Sequence, residues 1–397
     1  MTVRILVLSF YYPPDLAAGS FRIDALVKAL LAKAGSGVQV DVVTTQPNRY
    51  RAYGAAAAEL QESQGLSVRR IALPAHESGL LDQARAFVSY ALGVRQATKG
   101  KDYDLIVASS SRLMTAALGA YLGFSIKTPL YLDIRDIFVD TLPELFPSRL
   151  GQLAAWIFSR VERLTISQAS RVNLISPGFL SYFSTHYPSR EFSTFTNGVD
   201  EMFFKQLPGK VTGAHGGQSI RVVYAGNIGT GQGLHFILPE MAKRLEGVAH
   251  FTIIGAGGAL EKLQSALKLR DVTNVEFIAP VERKALLQFY QDADVLFLHL
   301  NSFKSFRRVI PSKLFEYAAT GKPILAGLAG YPARFTHTKI SNASVFEPCD
   351  IEGAIEALFN LSLAPVTRNA FMNDYSRVSI QKRMAADVLD TLKRHPV

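Results

Sequence analysis

Arg307-Arg308-Val309-Ile310-Pro311-Ser312-Lys313-Leu314-Phe315-Glu316-Tyr317-Ala318-Ala319-Thr320-Gly321-Lys322-Pro323 combines an extended approach, a short helix and a sharp stop. Pro311 biases Ile310 toward an extended backbone. A helix is expected from about Ser312, because Pro is accepted at a helix start and Ser favours the cap. Gly321 and Pro323 end it after about two turns. Unpaired amides at such a start favour a bound anion by roughly 0.3–1 kcal/mol. Lys313 adds a point charge and Ser312 a hydroxyl, while Arg307 and Arg308 lie on the approach. Glu316 follows Ser312 by four residues, on the same helix face and one turn deeper. Diphosphate oxygens at the helix mouth would leave a ribose about there, and a carboxylate accepts from both ribose hydroxyls. The segment therefore reads as a nucleotide-diphosphate clamp, with Leu314, Phe315 and Ala318 spaced for the core. The competing reading is a plain strand–loop–helix unit whose Lys and Glu are only solvated.

The residues before the clamp favour the first reading. Ile220 to Ala225 is an apolar strand followed by Gly226-Asn227-Ile228-Gly229-Thr230-Gly231-Gln232-Gly233. Four glycines in eight residues expose backbone amides to which a phosphate or sugar can come close. Phe251 to Gly255 is a strand ending in the turn Gly255-Ala256-Gly257-Gly258, which lacks the last glycine of a dinucleotide fingerprint. Val275 to Ile278, Val295 to Leu300 and Pro323 to Ala326 are further strands, and Phe371 to Leu392 reads as one helix.

The first half has the same alternation. Arg4 to Phe10 is a near-continuous apolar run, as in a buried parallel strand. A loop Tyr11 to Ser20 follows, with Ser20 placed to cap a helix carrying Ile23, Leu26, Val27 and Leu30. Val38 to Thr44, Ser67 to Leu73, Leu105 to Ser109, Leu130 to Asp133 and Val172 to Ile175 read as strands. Gly19 and Ser20 stand at the carboxyl end of the first strand, where open parallel sheets take ligands. Arg135 and Asp136 stand beyond Asp133, as groups for binding or acid–base work or as members of a salt-bridged loop. The fold class expected is α/β, with two Rossmann-like domains facing across a cleft. The boundaries expected are 1–204 for an acceptor-side domain, 205–219 for a Gly-rich linker, 220–370 for a nucleotide-sugar-binding domain, and 371–397 for a helix crossing back to the first.

Composition sets outer limits. The chain has 397 residues, 48% of them hydrophobic and 19% charged, as for a globular protein with a large core. A single cysteine excludes an internal disulfide and fits a reducing compartment. No signal peptide or spanning segment is recognisable, so a cytoplasmic location is expected. The net charge of +10 favours anionic partners, but long Lys/Arg runs and nucleic-acid motifs are missing. Leu80 to Arg95 and Leu153 to Leu164 are apolar helices edged with arginine, which either cover the sheet or lie on an anionic inner membrane face. Asp102-Tyr103-Asp104 and Asp292-Ala293-Asp294 each precede a strand, at its amino end and away from the ligand edge, so no metal is expected.

Taken together these segments resemble the GT-B glycosyltransferases of family 4, retaining enzymes that use sugar nucleotides, and most of all their bacterial surface-polysaccharide members. The resemblance spans nearly the whole chain, through Gly19, Arg135-Asp136, Thr196-Asn197-Gly198-Val199-Asp200, Gly226-Asn227-Ile228-Gly229, Ile253-Ile254-Gly255 and the clamp. It implies transfer of a sugar from a UDP- or GDP-linked donor to a hydroxyl of a glycan or polyprenyl-diphosphate-linked glycan, with no cofactor beyond the donor. Glu316 would match the second glutamate of the E-x7-E motif and bind ribose. Gly19 and Ser20 would approach the diphosphate or acceptor, and Gly226, Asn227, Gly229 and Gln232 would line the donor. Gly255, Gly257 and Val281 would lie near the base. Arg307, Arg308, Ser312 and Leu314 would complete the clamp, with Asp136, Arg135 and Lys313 in the catalytic roles. Two departures stand out: the first motif glutamate falls at Arg308, and Gln232 stands where a lysine is usual. They leave two alternatives open, a non-catalytic nucleotide-sugar-binding partner subunit and a nucleotide-sugar epimerase of similar build.

Overall fold

The computed structural model describes residues 2–47, 57–74, 80–110, 112–146, 148–203 and 219–394. It divides into two compact units, residues 1–197 with 377–397, and residues 198–376. The division falls between Asn197 and Gly198. Of the expected linker at 205–219, all but residue 219 lies outside the described residues.

In chain order the first unit contains β1 (Val3–Leu8), α1 (Ala18–Ala34), β2 (Val38–Thr45), β3 (Leu60–Ser63), β4 (Leu66–Ile71), α2 (Leu80–Thr98), β5 (Leu105–Ser110), α3 (Leu113–Ser125), β6 (Leu130–Ile134), α4 (Phe138–Leu145), α5 (Arg149–Gln168), β7 (Arg171–Leu174), α6 (Leu180–His186) and β8 (Phe192–Ser193). The second contains β9 (Ile220–Ala225), α7 (Leu234–Arg244), β10 (Ala249–Ile254), α8 (Leu260–Lys268), β11 (Val275–Ile278), α9 (Arg283–Asp292), β12 (Val295–His299), α10 (Ser312–Ala319), β13 (Ile324–Gly327), α11 (Tyr331–Lys339), β14 (Ala343–Phe346), α12 (Ile351–Phe359) and α13 (Asn369–Asp374). Then α14 (Arg377–Arg394) returns to the first unit and packs along α1.

The first sheet has the order β3-β4-β2-β1-β5-β6-β7-β8 and the second β11-β10-β9-β12-β13-β14. Every described pairing is parallel except the β3–β4 hairpin. In each unit the strand order reverses beside the unit's first strand, between β1 and β5 and between β9 and β12. Such a reversal opens a crevice beyond the carboxyl ends of the strands. The apolar runs that announced these strands are buried on both faces, with β1, β5, β6, β9 and β12 supplying the core. No described helix is long and apolar enough to cross a membrane.

Four local expectations are corrected. α1 begins at Ala18 with Ala17 at its N-cap, so Ser20 lies inside the first turn, not at the cap, and Gly19 and Ser20 are helical. At α10 Pro311 is the N-cap and Ser312 is the first helical residue, without a side-chain cap bond. β6 runs on through Ile134, one residue past its expected end at Asp133. The expected C-terminal helix is two, α13 and α14, because Val199 bridges to Ser376 and its amide donates to the Tyr375 carbonyl, pinning the chain there.

Candidate active site

In the second unit β9 ends on Ala225, whose amide donates to the Tyr317 hydroxyl of α10 at 3.1 Å. This bond sets the clamp helix beside the glycine loop. Gly226 has φ 145°, and a Cβ built on it would fall 1.2 Å from Lys313 Nζ. The ammonium thus occupies the space that only glycine leaves open. It also lies 5.2 Å from the centre of the Tyr224 ring, in cation–π range. Gly255, with φ 146°, packs on the Gly226 carbonyl so closely that a Cβ would come within 1.8 Å of it. Lys313, Gly226 and Gly255, far apart in sequence, are therefore neighbours. Gly257 packs in the same way on Ile228.

Gln232 turns inward. Its Oε1 accepts from Asn227 Nδ2 at 2.7 Å and from the Gly229 amide at 3.2 Å, so it braces the glycine loop from within. His299 continues the brace, with Nδ1 2.6 Å from the Gln232 carbonyl and Nε2 accepting from the Cys349 amide. Burial lowers its pKa to about 4, against a smaller upward pull from the Gln232 carbonyl.

Glu316 accepts from Arg283 Nη2 at 3.3 Å, and the same nitrogen lies 2.5 Å from Asp200 Oδ2. The guanidinium rests 5.2 Å from the Phe203 ring centre. Sequence reasoning missed Arg283: nothing in its neighbourhood marks it, and both acids it bridges are remote in the chain. Ser312 is half-buried at the helix mouth, and Val281 is half-buried against the core. The Leu314 side chain is fully buried, and its amide donates to the Pro311 carbonyl. Arg308 is half-buried; Arg307 is exposed, and its main chain packs against Gly330.

In the first unit Arg135 and Gly19 meet. A Cβ on Gly19 would stand 2.0 Å from Arg135 Nη1, so the guanidinium lies over the first turn of α1. Burial, then repulsion from Arg22 and Arg377, lowers the Arg135 pKa to about 10, against attraction from Asp133 and Asp136. Ser20 is fully buried, and its hydroxyl has no hydrogen-bond partner among the described residues. Asp136 is exposed. Desolvation by the surrounding protein pushes its pKa upward, and the Ile137 amide and Arg135 oppose the push.

Asp133 has a structural part instead. Arg22 clasps it through Nε–Oδ2 and Nη2–Oδ1, both 2.8 Å, with both side chains fully buried. Arg22 also donates to the Thr196 and Phe195 carbonyls and touches Met384 Sδ at 3.3 Å. Burial opposes the charge on Asp133, but Arg22 prevails and holds the carboxyl below its ordinary pKa. In each of the two D-x-D sequences the second acid holds a backbone amide: Asp104 accepts from the Arg4 amide at 2.7 Å and Asp294 from the Arg221 amide at 2.9 Å.

Family models match both halves of the chain, a glycosyl transferase 4-like domain at residues 22–197 and a glycosyl transferases group 1 domain at residues 219–362. No curated protein sequence matches it. Among solved structures, a sucrose-phosphate synthase from Thermosynechococcus elongatus superposes with a TM-score of 0.69 at 14% identity, covering 99% of this chain and 97% of that one. WaaG, a glycosyltransferase involved in lipopolysaccharide biosynthesis, gives 0.65 at 15% identity and 98% coverage of each chain. Anabaena Alr3699/HepE, in complex with UDP-glucose, gives 0.63 at 16% identity, covering 98% of this chain and 97% of that one. At these identities the superpositions speak for the fold, and the two family models for kinship. The chain belongs to the GT-B glycosyltransferases, with a 4-like first domain and a group 1 second domain.

Proposed function

We propose that this glycosyltransferase is a retaining enzyme that moves a hexosyl or N-acetylhexosaminyl group from a UDP- or GDP-linked donor to a hydroxyl of a glycan or lipid-linked glycan, in bacterial surface-polysaccharide synthesis. The observation that carries the reading is the Lys313 ammonium set into the space left by Gly226, with Glu316 one turn further along α10. A cation beside glycine-loop amides suits a diphosphate, and a carboxylate a turn away suits a ribose. The likeness to HepE, solved with UDP-glucose, and to WaaG is in keeping with it.

In this reading the bond from the anomeric carbon to the diphosphate oxygen breaks while the acceptor oxygen attacks the same face of the sugar. The acceptor proton passes to the leaving phosphate oxygen, so no protein nucleophile is needed. Lys313 neutralises charge developing on the diphosphate, and Glu316 fixes the ribose. Arg135 and Asp136 orient acceptor or sugar hydroxyls from the first unit. A lipid-linked acceptor would bring the protein to the inner face of the cell membrane as a peripheral protein.

Lys313→Ala removes a charge-assisted contact worth roughly 1.5–3 kcal/mol, so calorimetry should read a more than tenfold loss of nucleotide-diphosphate affinity. Unchanged affinity would remove the clamp from the mechanism. Asp136→Asn should reduce turnover while donor affinity is kept, and full turnover would free Asp136 from its assigned part. Release of nucleotide diphosphate across a panel of sugar nucleotides, with the product's anomeric configuration read by NMR, tests the reaction itself.

A further inference from the structure

We propose that Arg368 is a positioning residue for the donor diphosphate: it holds α10 by its carboxyl end, at the depth where Lys313 enters the hollow beside Gly226. The inference rests on the proposed clamp, and its geometry lies wholly in the second unit.

The fit at Gly226 leaves little slack. A Cβ built there would fall 1.2 Å from Lys313 Nζ and 2.1 Å from its Cε, so the ammonium and the last methylene both occupy the space of a missing side chain. α10 has 8 residues, about 12 Å at helical rise. So short a helix moves as one piece, and a shift at its far end reaches Lys313 undiminished. Tyr317 ties the helix sideways to β9 through the Ala225 amide. At the carboxyl end the Thr320 hydroxyl donates to the Tyr317 carbonyl at 2.7 Å, and Gly321, with φ 73°, turns the chain away. These contacts end the helix without fixing where that end lies.

Arg368 supplies that. It is the buried N-cap residue of α13. Its Nη1 donates to the Ala318 carbonyl at 3.1 Å, in the last turn of α10, and its Nη2 to the Lys322 carbonyl at 3.0 Å, just beyond the turn. Nη2 and Nε also donate to the Asn342 and Ser341 carbonyls, at 3.1 and 2.8 Å, in the turn before β14. One planar fork thus joins the end of α10 to the strand that closes the sheet. The Val366 amide, donating to the Gly321 carbonyl at 2.9 Å, and Phe371, 6.1 Å from Phe315 between ring centres, hold the same segment against α10. Among the described residues the partners of Arg368 are all carbonyls. Burial alone lowers its pKa to about 10, so it is charged at neutral pH. A buried cation facing no acid is expensive, and ending a helix does not require one. What the guanidinium adds is position, together with a charge that offsets the negative end of the helix dipole and leaves the amino end, at Lys313, more favourable to an anion.

A double-mutant cycle on the full-length protein separates this part from a purely structural one. Calorimetry would titrate a nucleoside diphosphate and its nucleoside (UDP and uridine, or GDP and guanosine, whichever pair the wild type binds) into wild type, Arg368→Met, Lys313→Ala and the double variant. Arg368→Met should weaken the diphosphate roughly tenfold and the nucleoside less than about threefold. In the Lys313→Ala background the same change should weaken the diphosphate less than about twofold, because the group it positions is gone. Equal losses of diphosphate affinity in both backgrounds overturn the proposal, and so does no loss in the wild-type background. Should circular dichroism show Arg368→Met unfolded, the cycle is run under the same criteria with Arg368→Lys, which keeps the charge but not the fork. Where Arg368→Met folds, Arg368→Lys should recover part of the lost affinity. A wild type that binds neither pair overturns the clamp and this inference together. Otherwise Lys313→Ala alone reports on the clamp, so failure of the donor reading shows in that single variant, whereas failure of the present inference shows in the cycle.

Discussion

Arg283 bridges two acids, with Glu316 on one hand, Asp200 on the other and Phe203 beneath. All three charged side chains are partly buried, so removing the cation leaves two carboxylates facing each other with little water between them. Arg283→Ala should lower unfolding free energy by about 1–3 kcal/mol. It should also weaken nucleotide binding, because Glu316 loses the partner that orients it. Thermal unfolding paired with calorimetric titration would measure both, and Arg283→Lys should recover charge but not the two-sided reach. A variant equal to wild type in both would make Arg283 a bystander. Lys313, Glu316 and the glycines were singled out by residue type and local spacing, and the structure sets Lys313 beside Gly226. Arg283 was not, since its meaning comes from tertiary neighbours. Leu314 belongs to the motif, and its side chain lies in the core as its spacing indicated.

At the scale of elements, the glycine loop after β9 is held by hydrogen bonds from its own Gln232 and from His299 on β12. His299 must stay neutral for its Nε2 to accept from the Cys349 amide, whereas its Nδ1–H bond to the Gln232 carbonyl survives protonation. Its folded pKa of about 4 lies below the ordinary 6.5, so the unfolded chain takes up the proton first. The stabilisation is complete above about pH 6.5 and is lost as pH falls toward 4, by roughly 3 kcal/mol in all. Denaturant unfolding across that window should show stability declining for wild type and a flatter profile for His299→Gln. Equal slopes would show that His299 does not govern acid sensitivity. Most strands were legible because parallel strands covered on both faces read as unbroken apolar runs. β3 was not, since Leu60, Gln61, Glu62 and Ser63 are all exposed and leave no apolar signature. The break between α13 and α14 was hidden because apolar spacing runs on through it; the bridge from Val199 imposes it. Ser20 lost the cap position because the helix begins two residues earlier, among small residues whose side chains give no stop or start signal.

At the scale of the whole molecule the first unit is built from two stretches of chain, and α14 is its closing piece. Met384, Ala385 and Val388 are fully buried in the same cluster as Ile23, Val27 and Leu30 of α1. Asp387 accepts from the Tyr131 hydroxyl at 2.9 Å and pairs with Arg171 at 2.8 Å. Ending the chain at Ser376 would uncover this apolar seam and remove Met384 from Arg22. The truncated protein should lose the cooperative melting of its first unit and bind a dye specific for exposed apolar surface, whereas unchanged melting would show α14 to be dispensable. The two sheets were legible in advance because strand and helix alternate with regular spacing in both halves. The buried Arg22–Asp133 pair was not, because an arginine in an amphipathic helix ordinarily points to water.

The late return of α14 also bears on how the protein comes off the ribosome. Domains of a nascent chain usually finish in the order they are made, at about 5–20 residues per second. Here the order is inverted: residues 198–376 can reach their final state first, while the amino-terminal unit waits, its seam open, for residues 377–394 to leave the exit tunnel. Until then the apolar side of α1 that α14 covers lacks its covering helix.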